Sequence, residues 1–386
     1  MLIVMQKLPA ALLAAAVVLW GACSDGMGPG GGDSVVWKVP SGAPTDGLPF
    51  VPAANANRSM IYFATPDTRL KKVRASDGHV MWDVSAGVVR PVFPRWNAVV
   101  SANVVALSKV DIVAFDTTTG ASRWTYVPAD GEETGDAPLA ANDSTIFAAG
   151  RKGHVHAVNA KTGMARWITN VSEGKPNVAT FNPTLSVDIV FVCSKDFDAN
   201  PASGAVWALE ATTGAVKWSY HFVADVAGQA TSCLGSAAVW HDFVIQPEEG
   251  GRVFAFDRAT GQVQWTAPRV TQFLSDTRWA AVGGDVVLVT SQTGSGMIVA
   301  YEAATGVEKW RRTEWSGSIF VPVLDSTVAY VDHGWVFASY DLATGATRWQ
   351  TPQSFNGPET VYKGGPIIAG SRIYVAGRNG SYALRR

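Results

Sequence analysis

The amino-acid sequence predicts an all-β protein, an eight-bladed β-propeller of four-stranded antiparallel blades that its N-terminal strand closes into a ring. Three observations lead to this prediction. A short motif ending in tryptophan recurs seven times, at intervals typical of a propeller blade. Two further apolar runs precede each copy of the motif. The two ends of the chain each hold one part of an eighth copy.

Each copy of the motif is a segment such as AFDRATGQVQW, in which a glycine lies four residues before the final tryptophan. The tryptophans of the seven copies are Trp82, Trp124, Trp167, Trp218, Trp265, Trp310 and Trp349. The matching glycines are Gly78, Gly120, Gly163, Gly214, Gly261, Gly306 and Gly345. Consecutive tryptophans are separated by 39 to 51 residues, which is the length of one four-stranded blade.

The motif itself predicts a β-hairpin that supplies the two outer strands of a blade. In the fifth copy, the apolar pair Ala255 and Phe256 precedes a polar turn, and Val263 and Trp265 then point to one face of the next strand. The turn glycine can adopt a positive φ, and an Asp, Glu or Asn four residues before it, present in six copies, can bond the turn amides. Apolar runs upstream of the motif predict the two inner strands, as at 138–141 and 145–149, or 279–282 and 286–290.

The eighth blade is divided between the two ends of the chain. Residues 372–376 and 381–385 supply two apolar strands, but no turn and tryptophan follow them. Residues 34–39 form a strand-like segment that contains Trp37 and has no blade before it. Pairing this segment with the C-terminal strand completes the blade and closes the ring. Trp37 then becomes the eighth tryptophan of the ring, and residues 34–386 form one domain.

The N-terminal residues predict export and lipid anchoring. Residues 1–22 have the features of a signal peptide, with the apolar run 8–20 after Lys7 and small residues before Cys23. This arrangement resembles the bacterial lipoprotein signal, in which the cysteine is acylated. Residues 23–33 are rich in glycine and predict a flexible tether after the lipidated cysteine. Two alternatives stay open, namely an ordinary secretory signal and a retained membrane anchor.

Composition and charge exclude several classes of protein. Aliphatic and aromatic residues make up 47% of the chain and charged residues only 16%, which predicts a packed globular core rather than disorder. Lys and Arg number 31 against 32 for Asp and Glu, so the formal net charge is −1. This balance gives no general attraction to nucleic acid or anionic lipid. We therefore expect no nucleic-acid partner and contact with a membrane only through the lipid anchor.

The repeated pattern A-x-[DEN]-x-x-[TA]-G-x-x-x-W resembles the tryptophan-docking motif of pyrroloquinoline-quinone-type (PQQ-like) propellers across residues 34–386. The resemblance implies that each tryptophan packs between neighbouring blades. Enzymes of this type use the quinone with calcium, and typically carry an adjacent cysteine pair, a carboxylate base and calcium ligands. This chain has three cysteines, none adjacent, and its sequence shows no convincing acidic cluster outside the turns. We therefore predict no catalytic residue, no cofactor and no metal site.

The chain also resembles the BamB family of outer-membrane assembly lipoproteins in length, lipoprotein signal, blade number and lack of cofactor residues. This resemblance implies a non-catalytic scaffold that binds a protein partner in the cell envelope, anchored in the outer membrane and facing the periplasm. BamB-like outer-membrane protein assembly is the sharpest form of that prediction. Two alternatives stay open: a PQQ- and calcium-dependent alcohol or sugar dehydrogenase, and a sensor or carbohydrate-binding propeller.

Four residues outside the tryptophan motif raise specific chemical possibilities. His154 and His156 lie two apart on a predicted strand, so both could face one metal. No third ligand is evident, and we expect a solvent-facing pair.

Cys193 and Cys233 remain after lipidation of Cys23 and lie in predicted inner strands of neighbouring blades. A disulfide fits the oxidising compartment, and two separate buried thiols fit as well.

The connections between strands are the expected place for recognition. Trp96 and Trp315 lie in interblade connections and are candidates for a partner surface. The longest insertions are expected at 130–136 and 195–205. Residues 248–251, with the sequence EEGG, are predicted to be a simple hairpin turn.

Overall fold

The computed structural model of the protein describes most of the predicted propeller domain. The described ranges are 35–42, 51–65, 67–87, 97–108, 110–134, 137–269, 277–291, 296–313, 321–332, 336–350, 365–377 and 380–386. The predicted signal peptide, Cys23, the tether at 23–33, Trp96 and Trp315 lie outside these ranges. Within them every regular element is a β-strand, and there is no helix of the length and apolar character needed to cross a membrane.

The described residues contain 32 strands, which form eight separate four-stranded antiparallel sheets. In chain order the strands are β1 (Val35–Pro40), β2 (Ala53–Ala54), β3 (Met60–Ala64), β4 (Arg69–Arg74), β5 (Val80–Ser85), β6 (Ala98–Ser101), β7 (Val104–Ser108), β8 (Ile112–Asp116), β9 (Ser122–Tyr126), β10 (Ala140–Ala141), β11 (Thr145–Ala149), β12 (His154–Asn159), β13 (Ala165–Asn170), β14 (Val178–Ser186), β15 (Ile189–Asp196), β16 (Ser203–Glu210), β17 (Val216–His221), β18 (Ala238–Trp240), β19 (Phe243–Pro247), β20 (Val253–Asp257), β21 (Val263–Ala267), β22 (Thr277–Gly283), β23 (Val286–Ser291), β24 (Met297–Glu302), β25 (Glu308–Thr313), β26 (Val323–Leu324), β27 (Val328–Asp332), β28 (Phe337–Asp341), β29 (Thr347–Gln350), β30 (Ile367–Ala369), β31 (Arg372–Gly377) and β32 (Gly380–Arg385). The predicted all-β, eight-bladed propeller is confirmed.

Each sheet is one blade of the propeller. In blades one to seven, four consecutive strands lie side by side in chain order, so that β2 to β5 form blade one and β26 to β29 form blade seven. Because neighbouring strands are antiparallel, the turns from first to second and from third to fourth strand share one end of each blade. We call this end the turn face. The second-to-third connections and the connections to the next blade lie at the opposite end, which we call the loop face.

Blade eight closes the ring as predicted. Its strands lie in the order β1-β32-β31-β30, so the first described strand is the outermost strand of the last blade. Trp37 pairs with Ala383, and Val39 pairs with Ser381, in antiparallel register. This pairing covers the edge that β32 would otherwise expose, and it ties the two ends of the domain together.

The cores of the propeller lie between blades. Second and third strands carry nearly continuous apolar sequences, and β7 and β11 are buried along their whole length. Outermost strands alternate instead, as in β13, where Trp167 is half-buried between exposed neighbours. The described apolar residues form eight clusters, each built from two neighbouring blades. Burial of apolar surface therefore holds each blade to the next around the ring.

Candidate functional site

The ring tryptophans link each blade to the next on the turn face. In seven of these links the indole Nε1 of a tryptophan donates a hydrogen bond to a backbone carbonyl in the third-to-fourth turn of the next blade. The donor and acceptor pairs are Trp37 with Ala75, Trp82 with Thr117, Trp124 with Ala160, Trp167 with Ala211, Trp218 with Arg258, Trp265 with Ala303 and Trp310 with Leu342. Trp349 packs against Phe337, with ring centroids 5.8 Å apart.

The turn glycines lie directly against these tryptophans. Gly261 has a φ of 75°, and a Cβ built on it would lie 2.6 Å from Cδ2 of Trp218. The other six motif glycines also have positive φ and meet the tryptophan of the preceding blade in the same way. Glycine is therefore required at this position for two reasons: its backbone conformation has a positive φ, and the indole occupies the space that a side chain would fill. The spacing of glycine and tryptophan in the motif follows from this contact.

Acidic side chains organise the same turns. In blade seven, Asp341 Oδ1 accepts hydrogen bonds from the amides of Ala343 and Thr344 at 3.1 and 3.0 Å, while Oδ2 accepts one from Arg348 at 2.8 Å. The hydrogen bond from Arg348, followed by those from Thr344, lowers the pKa of Asp341 to about 2. Asp116 and Asp257 accept the same pair of amide hydrogen bonds in the corresponding turns of blades two and five.

The loop face differs in that blades two to five carry long connections. The described parts of these connections are residues 127–134, 137–139, 171–177, 197–202 and 222–237. The predicted insertion at 195–205 is shorter than expected, because its two ends belong to β15 and β16. The connection 222–237 between blades four and five is longer.

A disulfide anchors this connection. Cys193 lies in β15 and is bonded to Cys233, with Cα atoms 5.7 Å apart. The prediction that both cysteines lie in inner strands is wrong for Cys233, which lies in the connection before β18. Both residues are fully buried in the apolar cluster between blades four and five. The bond therefore holds the long connection against the body of blade four.

The turn between β19 and β20 is the hairpin turn that its sequence predicts, with a hydrogen bond from the Gly251 amide to the carbonyl of Glu248 at 3.0 Å. Glu248 and Glu249 are both buried there. Lys195 Nζ lies 2.8 and 2.7 Å from the two carboxylate oxygens of Glu249, and Ser232 donates a hydrogen bond to the same carboxylate. Arg252 Nε donates to Glu248 Oε2 at 2.7 Å. Glu249 thus joins blade four and the long connection to blade five, whereas Glu248 pairs with an arginine of its own turn.

A second buried carboxylate cluster involves the two histidines. His156 is buried and His154 is partly exposed, so the expected solvent-facing pair is wrong. Oε2 of the buried Glu132 lies 2.7 Å from His154 Nδ1 and 2.9 Å from His156 Nε2. Burial alone would raise the pKa of Glu132, but the hydrogen bonds from His156 and the Lys152 amide, together with the histidine charges, hold it below its ordinary value. These three side chains are a candidate metal-ligand set.

Several clefts open between blades. A cavity of about 250 Å³ on the loop face lies between blade four and the connection 171–177 that leads to it from blade three. Its charged side chains pair with one another, Lys175 with Asp196 at 3.3 Å and His221 with Glu173 at 3.3 Å. Two clefts of about 500 and 460 Å³ flank blade one on the turn face. Lys72, which lines the larger of these two, donates to the backbone carbonyl of Thr117 at 2.8 Å, so it contributes to the ring itself.

The eight-bladed fold and the docked glycine-tryptophan repeat define a PQQ-like propeller. The protein-family model described as outer membrane protein assembly factor BamB matches three overlapping segments, residues 30–195, 108–351 and 249–385. The chain therefore belongs to this family.

Individual relatives share parts of the chain. The outer membrane protein assembly factor BamB of Burkholderia pseudomallei is 26% identical, with 59% of this chain and 68% of that protein covered. The corresponding BamB of Yersinia pestis is also 26% identical, with 61% and 60% covered. The serine/threonine-protein kinase AfsK of Streptomyces griseus is 29% identical, but the match spans only 48% of this chain and 22% of the kinase.

Solved structures share the fold. BamB from Moraxella catarrhalis superposes with a TM-score of 0.67 at 16% identity, covering 91% of this chain and 100% of that one. Quinohemoprotein alcohol dehydrogenase from Comamonas testosteroni gives a TM-score of 0.70 at 12% identity, covering 91% and 76%. At these identities the likeness concerns the fold, and both an outer membrane protein assembly factor and an alcohol dehydrogenase are built on it.

Proposed function

We propose that this protein is a non-catalytic scaffold of the cell envelope that serves outer-membrane protein assembly by binding a protein partner through its loop face. The observation that carries the proposal is a group of three exposed apolar side chains on two loop-face connections that leave strands of blade four, which we call the apolar patch. Phe197, Val223 and Val226 are 48%, 71% and 50% exposed there. Apolar groups held in an exposed position by a rigid base are typical of protein-binding surfaces.

The loops that carry this patch are tied to each other and to the ring. The amide of Thr231 donates to the carbonyl of Ala202 at 2.8 Å, which joins the connection 222–237 to the loop 197–202. The disulfide and the Lys195–Glu249 ion pair lie beneath them. A preformed surface loses little conformational entropy on binding, which favours affinity. The relatives named as outer membrane protein assembly factors support assembly as the process served.

Complementation tests the proposal. In a strain that lacks the chain, we expect the wild-type gene to restore the amounts of assembled outer-membrane proteins. A Phe197→Glu, Val223→Glu double variant should fail to restore them, because charge is introduced into the proposed apolar contact. Val187→Glu is the matched control, since Val187 is 85% exposed and lies in a first-to-second turn on the turn face. Equal restoration by both variants, at equal protein levels, contradicts the proposal.

We also propose that Cys23 is acylated and that the propeller faces the periplasm from the outer membrane. A Cys23→Ser variant should lose incorporation of labelled fatty acid and should leave the membrane fraction. Retention of both properties in this variant would rule out the anchor at Cys23.

The oxidoreductase alternative predicts a different result. Adding calcium and pyrroloquinoline quinone to the purified protein would then raise its melting temperature and support dye reduction with alcohols or sugars. We expect neither effect, because the two cysteines within the propeller domain are separated by 40 residues and bonded to each other, so they do not form the adjacent pair of those enzymes. Stoichiometric quinone binding with turnover would replace the scaffold proposal.

A further inference from the structure

We propose that Glu132, His154 and His156 form a binding site for a divalent transition metal, with Zn²⁺ the best fit. One ligand atom from each residue lies within 4.8 Å of the other two. In a tetrahedral zinc site with bonds of 2.0–2.1 Å, ligand atoms are separated by about 3.3 Å. The separations of 2.7 and 2.9 Å between Glu132 Oε2 and the two histidine nitrogens therefore need to lengthen by only about half an ångström.

The surrounding contacts already orient the ligands toward one point. His156 Nδ1 lies 2.9 Å from the hydroxyl of Tyr126, which leaves Nε2 directed at Glu132. An outer partner of this kind on the second ring nitrogen is usual for metal-ligating histidines. The other carboxylate oxygen of Glu132 accepts a hydrogen bond from the Lys152 amide. A Cβ at position 150 would overlap this carboxylate, so Gly150 is what allows Glu132 to reach the histidines.

The chemistry of the ligands selects the class of metal. Two imidazoles and one carboxylate suit zinc and other first-row transition metals, whereas calcium and magnesium prefer all-oxygen sites. The side chain of His154 is 21% exposed, so one side of the cluster is open to solvent. Asp130 Oδ2 lies 3.8 Å from His154 Nδ1 on this side and can supply a fourth ligand. With Glu132 and Asp130 both ionised, the complex with a divalent ion would be neutral.

A metal bound at this cluster would link blade three to the connection that precedes it. Glu132 lies in the connection between blades two and three, and both histidines lie on β12 of blade three. The same three residues can also hold together by hydrogen bonds alone, as a metal-free cluster. Metal binding would replace those hydrogen bonds by coordination and fix the connection 127–134 more firmly to blade three.

Titration of the purified full-length protein with Zn²⁺ after chelator treatment separates these two possibilities. We expect one tight site per chain, an increase in melting temperature, and visible absorption typical of tetrahedral coordination when Co²⁺ is used instead. His156→Gln and Glu132→Gln should weaken binding by about 100-fold, and Tyr126→Phe by about 10- to 100-fold. His79→Gln is the matched control, because His79 is exposed in the third-to-fourth turn of blade one, and it should bind like the wild type.

A measurement on the unaltered protein keeps the test independent of variant folding. X-ray absorption of the zinc-loaded wild type should show two imidazole ligands with oxygen donors. Absence of a stoichiometric site, a ligand set without imidazole, or equal affinity in folded Glu132→Gln protein would overturn the proposal and leave a hydrogen-bonded cluster.

Discussion

On the turn face the same hydrogen bonds recur from blade to blade, whereas on the loop face the contacts change from one blade to the next. Seven tryptophans donate to the same position of the neighbouring turn, and seven glycines make room for them. On the loop face, blade three holds the Glu132 cluster, and blades four and five share a disulfide and the Lys195–Glu249 ion pair. The turn face is therefore constrained by the repeat, and the loop face is where the sequence departs from it.

This difference bears on how a repeated fold acquires a specific function. Packing between blades needs the same geometry at every interface, so the residues that provide it are the same in each repeat. Recognition of one partner needs a surface that differs from its neighbours, and that surface must still be rigid. Buried ion pairs and a disulfide on the loop face provide such rigidity, beside the apolar cluster between blades four and five.

The largest expected effect comes from emptying a ring-tryptophan site on the turn face. Trp265 is 9% exposed, and its Nε1 donates to Ala303 at 3.0 Å. We expect Trp265→Ala to lower the free energy of unfolding by about 3–5 kcal/mol, because a large buried side chain is replaced by a cavity. Denaturant unfolding measures this change. A loss below about 1 kcal/mol would mean that the docked tryptophan contributes little to the ring.

Removing the disulfide should have a comparable effect on the loop face. Cys193 and Cys233 close a segment with a sequence separation of 40. Replacing both with serine should cost about 3–4 kcal/mol, since the unfolded chain regains the conformational freedom of that segment. Chemical denaturation of the double variant, beside the oxidised and reduced wild type, gives the value. Equal stability of oxidised and reduced wild type would show that the bond does not stabilise the loop face.

Two glycine substitutions compare the faces directly. Gly261 and Gly174 have φ values of 75° and 79°, but a Cβ at Gly261 would meet Trp218, whereas a Cβ at Gly174 has no atom within 4 Å. Gly174→Ala should cost about 1–2 kcal/mol for the backbone conformation alone. Gly261→Ala should cost about 2–4 kcal/mol, because the methyl group also displaces the indole. Equal losses of unfolding free energy would show that the glycine is required only for its φ.

The smallest expected effect concerns acid stability of a turn. The pKa of Asp341 is lowered to about 2 in the folded protein, mainly by Arg348. A lowered folded-state pKa stabilises the protein above the unfolded value of about 4, and this contribution disappears as pH falls through the folded value. The melting temperature of Asp341→Asn should therefore lie below that of the wild type at neutral pH, and the difference should shrink below about pH 4. A difference that does not change with pH would contradict this role of the charge.

The repeat made most of the fold predictable from the sequence. Glycine and tryptophan at fixed spacing mark the outer hairpin of every blade, and Trp37 without a preceding blade pointed to ring closure with β32. Those signals are local, because each depends on residues within one turn or one strand. The apolar residues around Cys233 predict a strand, but they pack as a buried connection between two blades.

The loop-face clusters were missed because they join residues far apart in the sequence. Glu132 precedes His154 by 22 positions and belongs to a connection whose path no local pattern defines. The exposed pair expected at His154 and His156 failed because β12, a third strand, is buried on both faces between neighbouring blades. The acidic segment 130–133 upstream of the His-x-His pair is the signal in the sequence that indicates this cluster.

The most direct test of the loop face as the recognition surface is site-specific photo-crosslinking in the native envelope. A photoreactive residue would replace Val223 on the loop face or Val187 on the turn face, which are 71% and 85% exposed. We predict a discrete crosslinked protein partner from position 223 and none from position 187. Crosslinks to one partner from position 187 alone would place recognition on the turn face and contradict the account.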